Sequence, residues 1–419
     1  MQAQAKTKFK KTPIGEIPED WEVVRLGEIG KLKDGDWILK KYYDNNGEVR
    51  LLQVGDIGIG KFLDRSQRFI NKKTANELNV TYVKPGKHIL ISRMPDPIGR
   101  ACIAPNLPYP YIVAVDITML EVNENIADIE YVMWVLNSPF CLRQAKQLSS
   151  GATRDRISRK NLEKILIPLP PLPEQKKIAE ILRTVDDAIE KTDEAIERTE
   201  RLKKGLMQRL LTKGIKHERF KKTELGEIPE EWRVVRLGEV CTRRNEIVQP
   251  KGDGKYKFIG LEHIESGRIK ISNYGSDKEV KSSKFKFYPG DILYGKLRPY
   301  LDKAVIADFE GICSTDLLVL TTKIDETLPE FLIYVIHSKG FINYAIATTS
   351  GTNHPRTSWK AISKYKFGLP PLEEQKQIAE ILSTVDRRLE LLRQKRGKLE
   401  RVKRGLMKDL LTGRRRVMT

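Results

Sequence analysis

Two long stretches of the chain carry apolar residues at alternating steps of three and four, the spacing that lines one side of an α-helix. At about 1.5 Å per residue, each stretch of roughly 40 residues predicts a helix about 60 Å long. Since each helix has a single stripe, pairing the two as an intramolecular antiparallel coiled coil would bury both. The apolar seam positions are Leu182, Val185, Ile189, Ile196, Leu206 and Leu210 in the first stretch and Leu382, Val385, Leu389, Leu392, Leu399, Leu406 and Leu410 in the second.

The seam is not apolar throughout, which leaves a second arrangement open. Lys203, Arg396 and Lys403 occupy seam positions, so each helix could instead cover its own domain. Gly205 and Gly405 interrupt the stripe at a cost of about 1 kcal/mol each relative to alanine. Their recurrence indicates a close backbone approach or the docking of a partner, although simple slack would give the same pattern.

Both helices follow the same proline-led motif, which shows that the chain contains one module twice. Pro-Pro-Leu-x-Glu-Gln-x-x-Ile-Ala-Glu-Ile-Leu begins at Pro170 and again, 200 residues later, at Pro370. A second repeated motif, Gly-Glu-Ile-Pro-x-x-Trp, ends at Trp21 and at Trp232, and we expect its tryptophan to anchor on the core. A two-fold repeat in sequence predicts a two-fold in shape, and a partner that offers two sites in a row.

Two blocks with mixed strand-like and helix-like patterns lie between these motifs. Short β-branched runs predict strands, and apolar residues at helical spacing predict one helix per block, over 129–147 and 329–347. The expected fold is α+β, with two pseudo-symmetric α+β domains separated by the coiled coil. The predicted segments are an N-terminal arm (1–20), a first domain (21–167), a first spacer helix (168–214), a second domain (215–367), a second spacer helix (368–413) and a basic tail (414–419).

The charge of the chain changes the picture because both blocks are basic. The net charge is +20, with 22 basic against 17 acidic residues in 21–171 and 22 against 15 in 232–371. Two basic blocks favour a polyanionic partner such as nucleic acid, although solubility alone would also favour net charge.

Several kinds of chemistry lack their sequence signals. The four cysteines form no Cys-x-x-Cys pair, which predicts reduced thiols, and the five histidines show no metal-ligand spacing. A Gly-x-x-x-x-Gly-Lys run at 55–61 is followed by Phe62 rather than the Ser or Thr that binds magnesium. We therefore expect no catalytic residue, no metal and no cofactor in this chain. Its polar N-terminus and the lack of a membrane-length apolar run predict a cytoplasmic protein.

The repeated motifs together closely resemble the DNA specificity subunits of type I restriction–modification enzymes. The resemblance covers essentially the whole chain and is carried by the proline-led helices, the Gly-Leu-Met triplets at 205–207 and 405–407 and the Gly-Glu-Ile-Pro-x-x-Trp motifs. The run Pro-Gly-Asp-Ile-Leu-Tyr-Gly-Lys-Leu-Arg-Pro-Tyr at 289–300 is also typical, whereas the first block departs from that form over 83–95.

The resemblance implies that each α+β block is a target recognition domain that reads one half of a bipartite site in double-stranded DNA. It implies that the two helices set the gap between the halves. Two adenine-methyltransferase subunits and two ATP-driven translocase–nuclease subunits would dock on this scaffold and bring S-adenosylmethionine, ATP and magnesium with them. A related system with a fused nuclease–methyltransferase partner, or an enzyme with an unrecognised site, would be the alternative.

Two loops per block are the candidates for DNA contact. They span 92–100 and 150–158 in the first block and 295–303 and 350–358 in the second. The flanks of 150–158 and 350–358 match at fixed offset while their middles differ. Arginine can bind guanine, asparagine can bind adenine, and small polar groups can hold phosphates. The candidate residues are Arg93, Met94, Asp96, Arg100, Thr153, Arg154 and Arg156 in the first block and Lys296, Arg298, Tyr300, Lys303, Asn353, His354 and Arg356 in the second.

Overall fold

The structure, a computed structural model, describes residues 8–151 and 155–417. The candidate DNA contacts Thr153 and Arg154 lie outside the described residues. The chain divides into two compact units, the first formed by 1–193 with 395–419 and the second by 194–394. Each unit therefore contains one α+β domain together with a part of each long helix.

The first unit combines short strands with short helices. Its α-helices are Lys72–Glu77, Ile129–Leu136, Pro139–Gln147 and Arg159–Leu162, and its 3-10 turns are Leu26–Glu28, Lys40–Tyr42 and Val54–Asp56. Its strands are Phe9–Thr12, Gly15–Pro18, Glu22–Arg25, Gly30–Asp34, Val49–Leu52, Phe69–Ile70, His88–Ser92, Ala101–Ile103, Tyr111–Val113, Ile117–Val122 and Leu166–Leu169.

The second unit repeats this order with additional strands. Its short α-helices are Leu237–Val240, Pro329–Ile336, Lys339–Ala347 and Trp359–Ile362, and its 3-10 turns are Leu261–His263, Asp277–Glu279 and Pro299–Leu301. Its strands are Phe220–Thr223, Gly226–Pro229, Arg233–Arg236, Cys241–Arg244, Ile247–Val248, Lys257–Ile259, Gly275–Ser276, Lys284–Phe287, Ile292–Gly295, Ala304–Ile306, Gly311–Cys313, Leu317–Thr322 and Lys366–Leu369.

A four-stranded antiparallel sheet with one strand order forms the frame of each unit. In the first unit, Ile117–Val122 lies between Gly30–Asp34 and His88–Ser92, and Ala101–Ile103 follows at the edge. The corresponding sheet of the second unit runs Cys241–Arg244, Leu317–Thr322, Ile292–Gly295 and Ala304–Ile306. A second sheet differs, because it has three strands in the first unit and five in the second.

The predicted single helix in each block is in fact two helices. In the first unit the break falls at Ser138, whose side chain accepts a hydrogen bond from the Cys141 amide, with Pro139 as the first helical residue. Serine at an N-cap and proline at the first position both start a new helix. The second unit breaks at Ser338, which caps the helix Lys339–Ala347 in the same way.

The two long helices are present as Leu172–Lys213 and Leu372–Leu410. Within the first unit they run antiparallel, because Asp186 pairs with Lys403 while Asp193, one heptad on, pairs with Arg396, one heptad back, at 2.5 Å. The seam cations are thus accommodated by carboxylates on the facing helix. This pairing confirms the coiled coil predicted from the apolar stripe.

The second unit pairs its own helical segments in the same sense. Glu200 contacts Arg393 at 2.7 Å, and Lys203 contacts Asp386 at 2.6 Å, so the residue number rises along one helix as it falls along the other. Lys203 is largely buried and its ammonium group lies 5.7 Å from the centre of the Tyr334 ring, which adds a cation–π contact.

Each tryptophan of the repeated motif is buried at the start of a long helix. Trp21 is fully buried, and its indole N–H donates to Glu174 at 3.0 Å, while Arg416 binds the same carboxylate at 2.7 and 2.8 Å. Arg416 also binds Asp20 with both terminal nitrogens. The segment that follows the second helix therefore holds the start of the first helix in the first unit.

The second unit contains the same arrangement with a different cation. Trp232 is fully buried and donates to Glu374 at 2.8 Å. The second carboxylate oxygen lies 2.8 Å from His217 and accepts the Ile215 amide at 2.9 Å. The expected anchoring of both tryptophans on the core is confirmed. Among the described residues, no helix is both long and apolar enough to cross a membrane.

Candidate nucleic-acid interface

The two candidate loops of the first unit lie side by side because their backbones are hydrogen-bonded. The Ile157 amide donates to the Arg93 carbonyl at 3.1 Å, and the Arg93 Nε donates back to the Ile157 carbonyl at 2.9 Å. Ser150 and Arg156 close the second loop through a reciprocal pair of 3.0 Å backbone bonds. The structure therefore brings together two segments that are about 60 residues apart in sequence.

Arg93 and Arg100, two of the residues predicted to contact DNA, do not lie at the surface of the loops. Both are more than nine-tenths buried. Arg93 forms an ion pair with Asp34 at 2.9 Å, and Arg100 donates to backbone carbonyl oxygens, including those of Ile57 at 2.6 Å and Val54 at 2.9 Å. Buried arginines with these bonds hold the loops in place, because a buried charge must be compensated inside the protein.

The surface of the first loop pair is formed by other predicted residues. Asp96 is exposed, Met94 is partly buried, and Arg156 is partly exposed and binds Asp116 at 2.8 Å. The sequence analysis did not single out Asp116. This residue lies between the buried strand Tyr111–Val113 and the central strand of the sheet, Ile117–Val122. Its equivalent 200 residues later is Asp316.

The second unit builds its loop pair on the same backbone frame. The Thr357 amide donates to the Lys296 carbonyl at 3.0 Å, as Ile157 does to Arg93, and the Lys296 amide donates to the Asp316 carbonyl at 3.0 Å. The Arg356 Nε binds Asp316 at 3.0 Å, as Arg156 binds Asp116 in the first unit. The frame is thus shared between loops whose middle sequences differ.

Among the described residues, more of the predicted side chains are exposed in the second unit than in the first. Tyr300 is 53% exposed, and Asn353, His354 and Arg356 lie at the surface. Arg298, in the left-handed backbone region, is fixed by a 2.8 Å bond from its amide to the Pro355 carbonyl. Lys303 is partly buried and donates to the Leu261 carbonyl at 2.6 Å, so it supports the loop from behind.

The second loop pair also carries a cluster of positive charge around Lys296. Burial lowers the pKa of Lys296, and the neighbouring cations Arg243 and Arg356 lower it further, while Asp316 opposes them. Arg356 is paired with Asp316, whereas Lys296 and Arg243 form no ion pair with a described residue. Such a cluster favours the approach of an anion, which would relieve the repulsion among the cations.

In the described part of the first loop pair, two carboxylates lie near Arg93. Burial lowers the pKa of Arg93, and Arg156 adds to this effect, but Asp34 and Asp116 both counter it. Two arginines thus share two carboxylates. Within the described residues, no group of three or more histidine, cysteine or acidic side chains could hold a metal ion.

The matching proteins define the class of this chain. Residues 18–198 and 229–401 each match the model of the type I restriction modification DNA specificity domain. The chain therefore belongs to this family, whose members are the non-catalytic DNA recognition subunits of type I restriction enzymes.

Full-length relatives agree with this assignment. The type I restriction enzyme MjaVIII specificity subunit of Methanocaldococcus jannaschii is 31% identical over 452 residues, which cover 100% of this chain and 98% of that protein. The putative MjaX specificity subunit of the same organism is 30% identical over 98% of this chain and 97% of its own length. A crystal structure of a type I restriction-modification system S subunit from M. genitalium shares the fold, with a TM-score of 0.61 at 15% identity over 95% of this chain and 97% of that one.

Proposed function

We propose that each unit reads one half of a bipartite DNA site through its own loop pair. The observation that carries this proposal is the shared backbone frame, in which the bond between the two loops recurs (Ile157 amide to Arg93 carbonyl, Thr357 amide to Lys296 carbonyl) while the exposed side chains of the loops differ. A constant frame with variable side chains suits two readers that approach DNA alike and recognise different bases.

The predicted residues of these loops divide into two proposed roles, contact with DNA and support of the loops from inside. Arg156, Arg356, Asn353, His354 and Tyr300 are the candidates for base or phosphate contact, because they are exposed or partly exposed on the frame. Arg93, Arg100 and Lys303 position the loops from inside. We expect the affinity for a cognate DNA duplex to fall steeply as the salt concentration rises, because the basic loops displace counterions from the phosphates.

The partners and spacing follow from the family. We propose that two methyltransferase subunits and two translocase–nuclease subunits assemble on this chain, and that they carry S-adenosylmethionine, ATP and magnesium. The antiparallel pairing seen within each unit supports the role of the long helices as a spacer between the half-sites. Removing one heptad from one helix should then change the gap in the recognised sequence or abolish activity.

Substitutions at Arg356 test the reading role directly. Arg356→Lys keeps the charge and loses the planar fork, so it should relax the selected sequence at one position of the second half-site and leave the salt dependence unchanged. Arg356→Ala should also lower the slope of log affinity against log salt by about 1. Selection from a randomised duplex library by the assembled complex measures both.

The exposed Lys360, outside the loop pair in the short helix Trp359–Ile362, supplies the matched control. Lys360→Ala should leave the selected sequence unchanged. If Arg356→Lys or Arg356→Ala alters both half-sites at once, the assignment of one half-site to each loop pair is wrong. If both variants select the same sequence as the unaltered chain, Arg356 does not read a base.

A further inference from the structure

Trp37 is a large aromatic side chain that the fold holds at the surface. It is 70% exposed, and the backbone on both sides of it is fixed. The Asp36 amide donates to the Val113 carbonyl at 2.9 Å, and the Asp36 carboxylate accepts the Thr81 amide at 2.8 Å. On the other side Ile38 packs against a buried cluster. The exposure of Trp37 is therefore built into an ordered segment.

The position of Trp37 places it at the margin of the first loop pair. It follows the frame strand Gly30–Asp34 by three residues, and Asp34 forms the 2.9 Å ion pair with Arg93 of the first loop. Three residues of extended chain span at most about 11 Å. The backbone of Trp37 thus lies within that distance of a residue that touches the loop.

The residues around Trp37 indicate which kind of partner it meets. Lys33, Lys40 and Lys41 are exposed, and none of them forms an ion pair with a described residue. Leu39 is also 45% exposed. An apolar side chain flanked by unpaired cations matches DNA, where phosphates flank grooves that expose base edges and thymine methyl groups.

We propose that Trp37 is a specificity residue that packs its indole against a base of the first half-site, with Lys40 and Lys41 on the adjoining phosphates. This inference rests on the proposed function and adds a contact outside the two predicted loops. The second unit offers no matching aromatic, because the residue 211 positions later is Val248, which lies in a strand paired with Lys284. The contact therefore belongs to the first half-site alone.

Intrinsic fluorescence tests the contact without any measurement of activity. Trp37 is one of five tryptophans, and Trp21, Trp134 and Trp232 are at least 97% buried while Trp359 is partly buried. Binding of a cognate duplex to the assembled complex should quench or shift the tryptophan emission. In Trp37→Phe this change should disappear although the duplex still binds.

Affinity and selection separate a base contact from a phosphate contact. Trp37→Ala should bind the cognate duplex about 10- to 100-fold more weakly, the loss expected for one base contact, with an unchanged salt slope because no charge is removed. Selection from a randomised duplex library should lose its preference at one or two adjacent positions of the first half-site only. Lys40→Ala should instead lower the salt slope by about 1 and keep the sequence preference.

The matched control is Phe9→Ala, since Phe9 is an aromatic residue of the same unit that is 40% exposed on the N-terminal hairpin. It should bind and select as the unaltered chain does. If Trp37→Ala selects the same sequence as the unaltered chain, the inference is overturned and the proposed function stays intact. The same holds if Trp37→Ala loses a protein subunit from the complex while its DNA binding is unchanged. If the unaltered complex selects no sequence, the proposed function falls and this inference falls with it.

Discussion

The two loop pairs share one backbone frame and differ in charge. In the first unit Arg93 and Arg156 face two carboxylates, Asp34 and Asp116. In the second unit Arg356 binds Asp316, while Lys296 and Arg243 form no ion pair with a described residue. Asn245 stands 211 residues after Asp34, the offset of the repeat in this region, so one acidic side chain has been replaced by a neutral amide. The frame is thus constant where it holds the loops, while the charge presented to a ligand varies between units.

The anchors at the helix starts differ in the same way. Both use a buried tryptophan and a glutamate, but Glu174 is held by the guanidinium of Arg416 and Glu374 by His217 with the Ile215 amide. Each supporting group comes from the segment that follows the other long helix. The fold therefore fixes the place of the group that holds each glutamate, whereas the strength of the bond to that glutamate depends on which residue stands there.

Removing these glutamates should give the largest effect on the comparison. Glu174→Ala leaves the buried Trp21 N–H without its acceptor and Arg416 without its main partner, which should destabilise the first unit by about 3 kcal/mol. Glu374→Ala removes an acceptor from Trp232 and Ile215 and should cost the second unit about 2 kcal/mol. Hydrogen–deuterium exchange resolved by segment measures each unit separately.

The exposed Glu373 provides the control for these variants, because it precedes Glu374 and Glu373→Ala removes no such bond. Exchange should rise only in the unit that carries the altered glutamate. Equal exchange in both units of Glu174→Ala, at the level of the unaltered chain, would show that the anchor contributes nothing to stability.

The periodic elements and the repeat could be predicted from the sequence, whereas the side-chain contacts that form only on folding could not. The heptad stripe predicted both long helices and their pairing, because one apolar face must be buried whatever surrounds it. It did not predict that Asp186 would pair with Lys403, although the charge at the seam position was visible. The single helices expected over 129–147 and 329–347 were wrong because a serine N-cap overrides continuous apolar spacing.

The candidate site was found as loops and not as individual side chains. Arginines in a loop look alike in sequence, and only burial separates Arg93 and Arg100 from Arg156. The seam glycines show the same limit. A side-chain carbon at Gly205 or Gly405 would meet no described atom within 4 Å, so close approach inside the chain is ruled out while slack and partner docking remain as explanations.

Restoring the missing carboxylate tests the charge comparison and should give an intermediate effect. Asn245→Asp places an acid in the second unit where the first has Asp34. It should bring the Lys296 cluster closer to balance and weaken binding of the cognate duplex several-fold, with a salt slope lower by about 1. Fluorescence anisotropy of a labelled duplex at several salt concentrations measures this.

The selected sequence should stay the same in Asn245→Asp, because no base contact is removed. Lys323→Gln serves as a charge-matched control away from the cluster. Lys323 is an exposed lysine directly after the strand Leu317–Thr322, and it donates to the Glu239 carbonyl. If Asn245→Asp and Lys323→Gln change the salt slope equally, the effect is one of net charge and the cluster has no local role.

The smallest effect concerns the pH dependence of the anchor in the first unit. Hydrogen bonding to Arg416 lowers the pKa of Asp20. A carboxyl with a lowered folded pKa stabilises the fold above its unfolded pKa of about 3.9, and this contribution is lost as the pH falls through the lower folded pKa. Asp20→Asn should therefore be less stable than the unaltered chain at pH 7 and equal to it in strong acid. Because Asp20 is half exposed, the difference should stay below about 1 kcal/mol and shrink in high salt.

Thermal unfolding between pH 2 and 7 measures this difference. The control is Glu231→Gln, 211 residues later in the second unit, because Glu231 lacks an arginine partner among the described residues. A pH-independent difference for Asp20→Asn would show that the aspartate acts through packing and not through its charge.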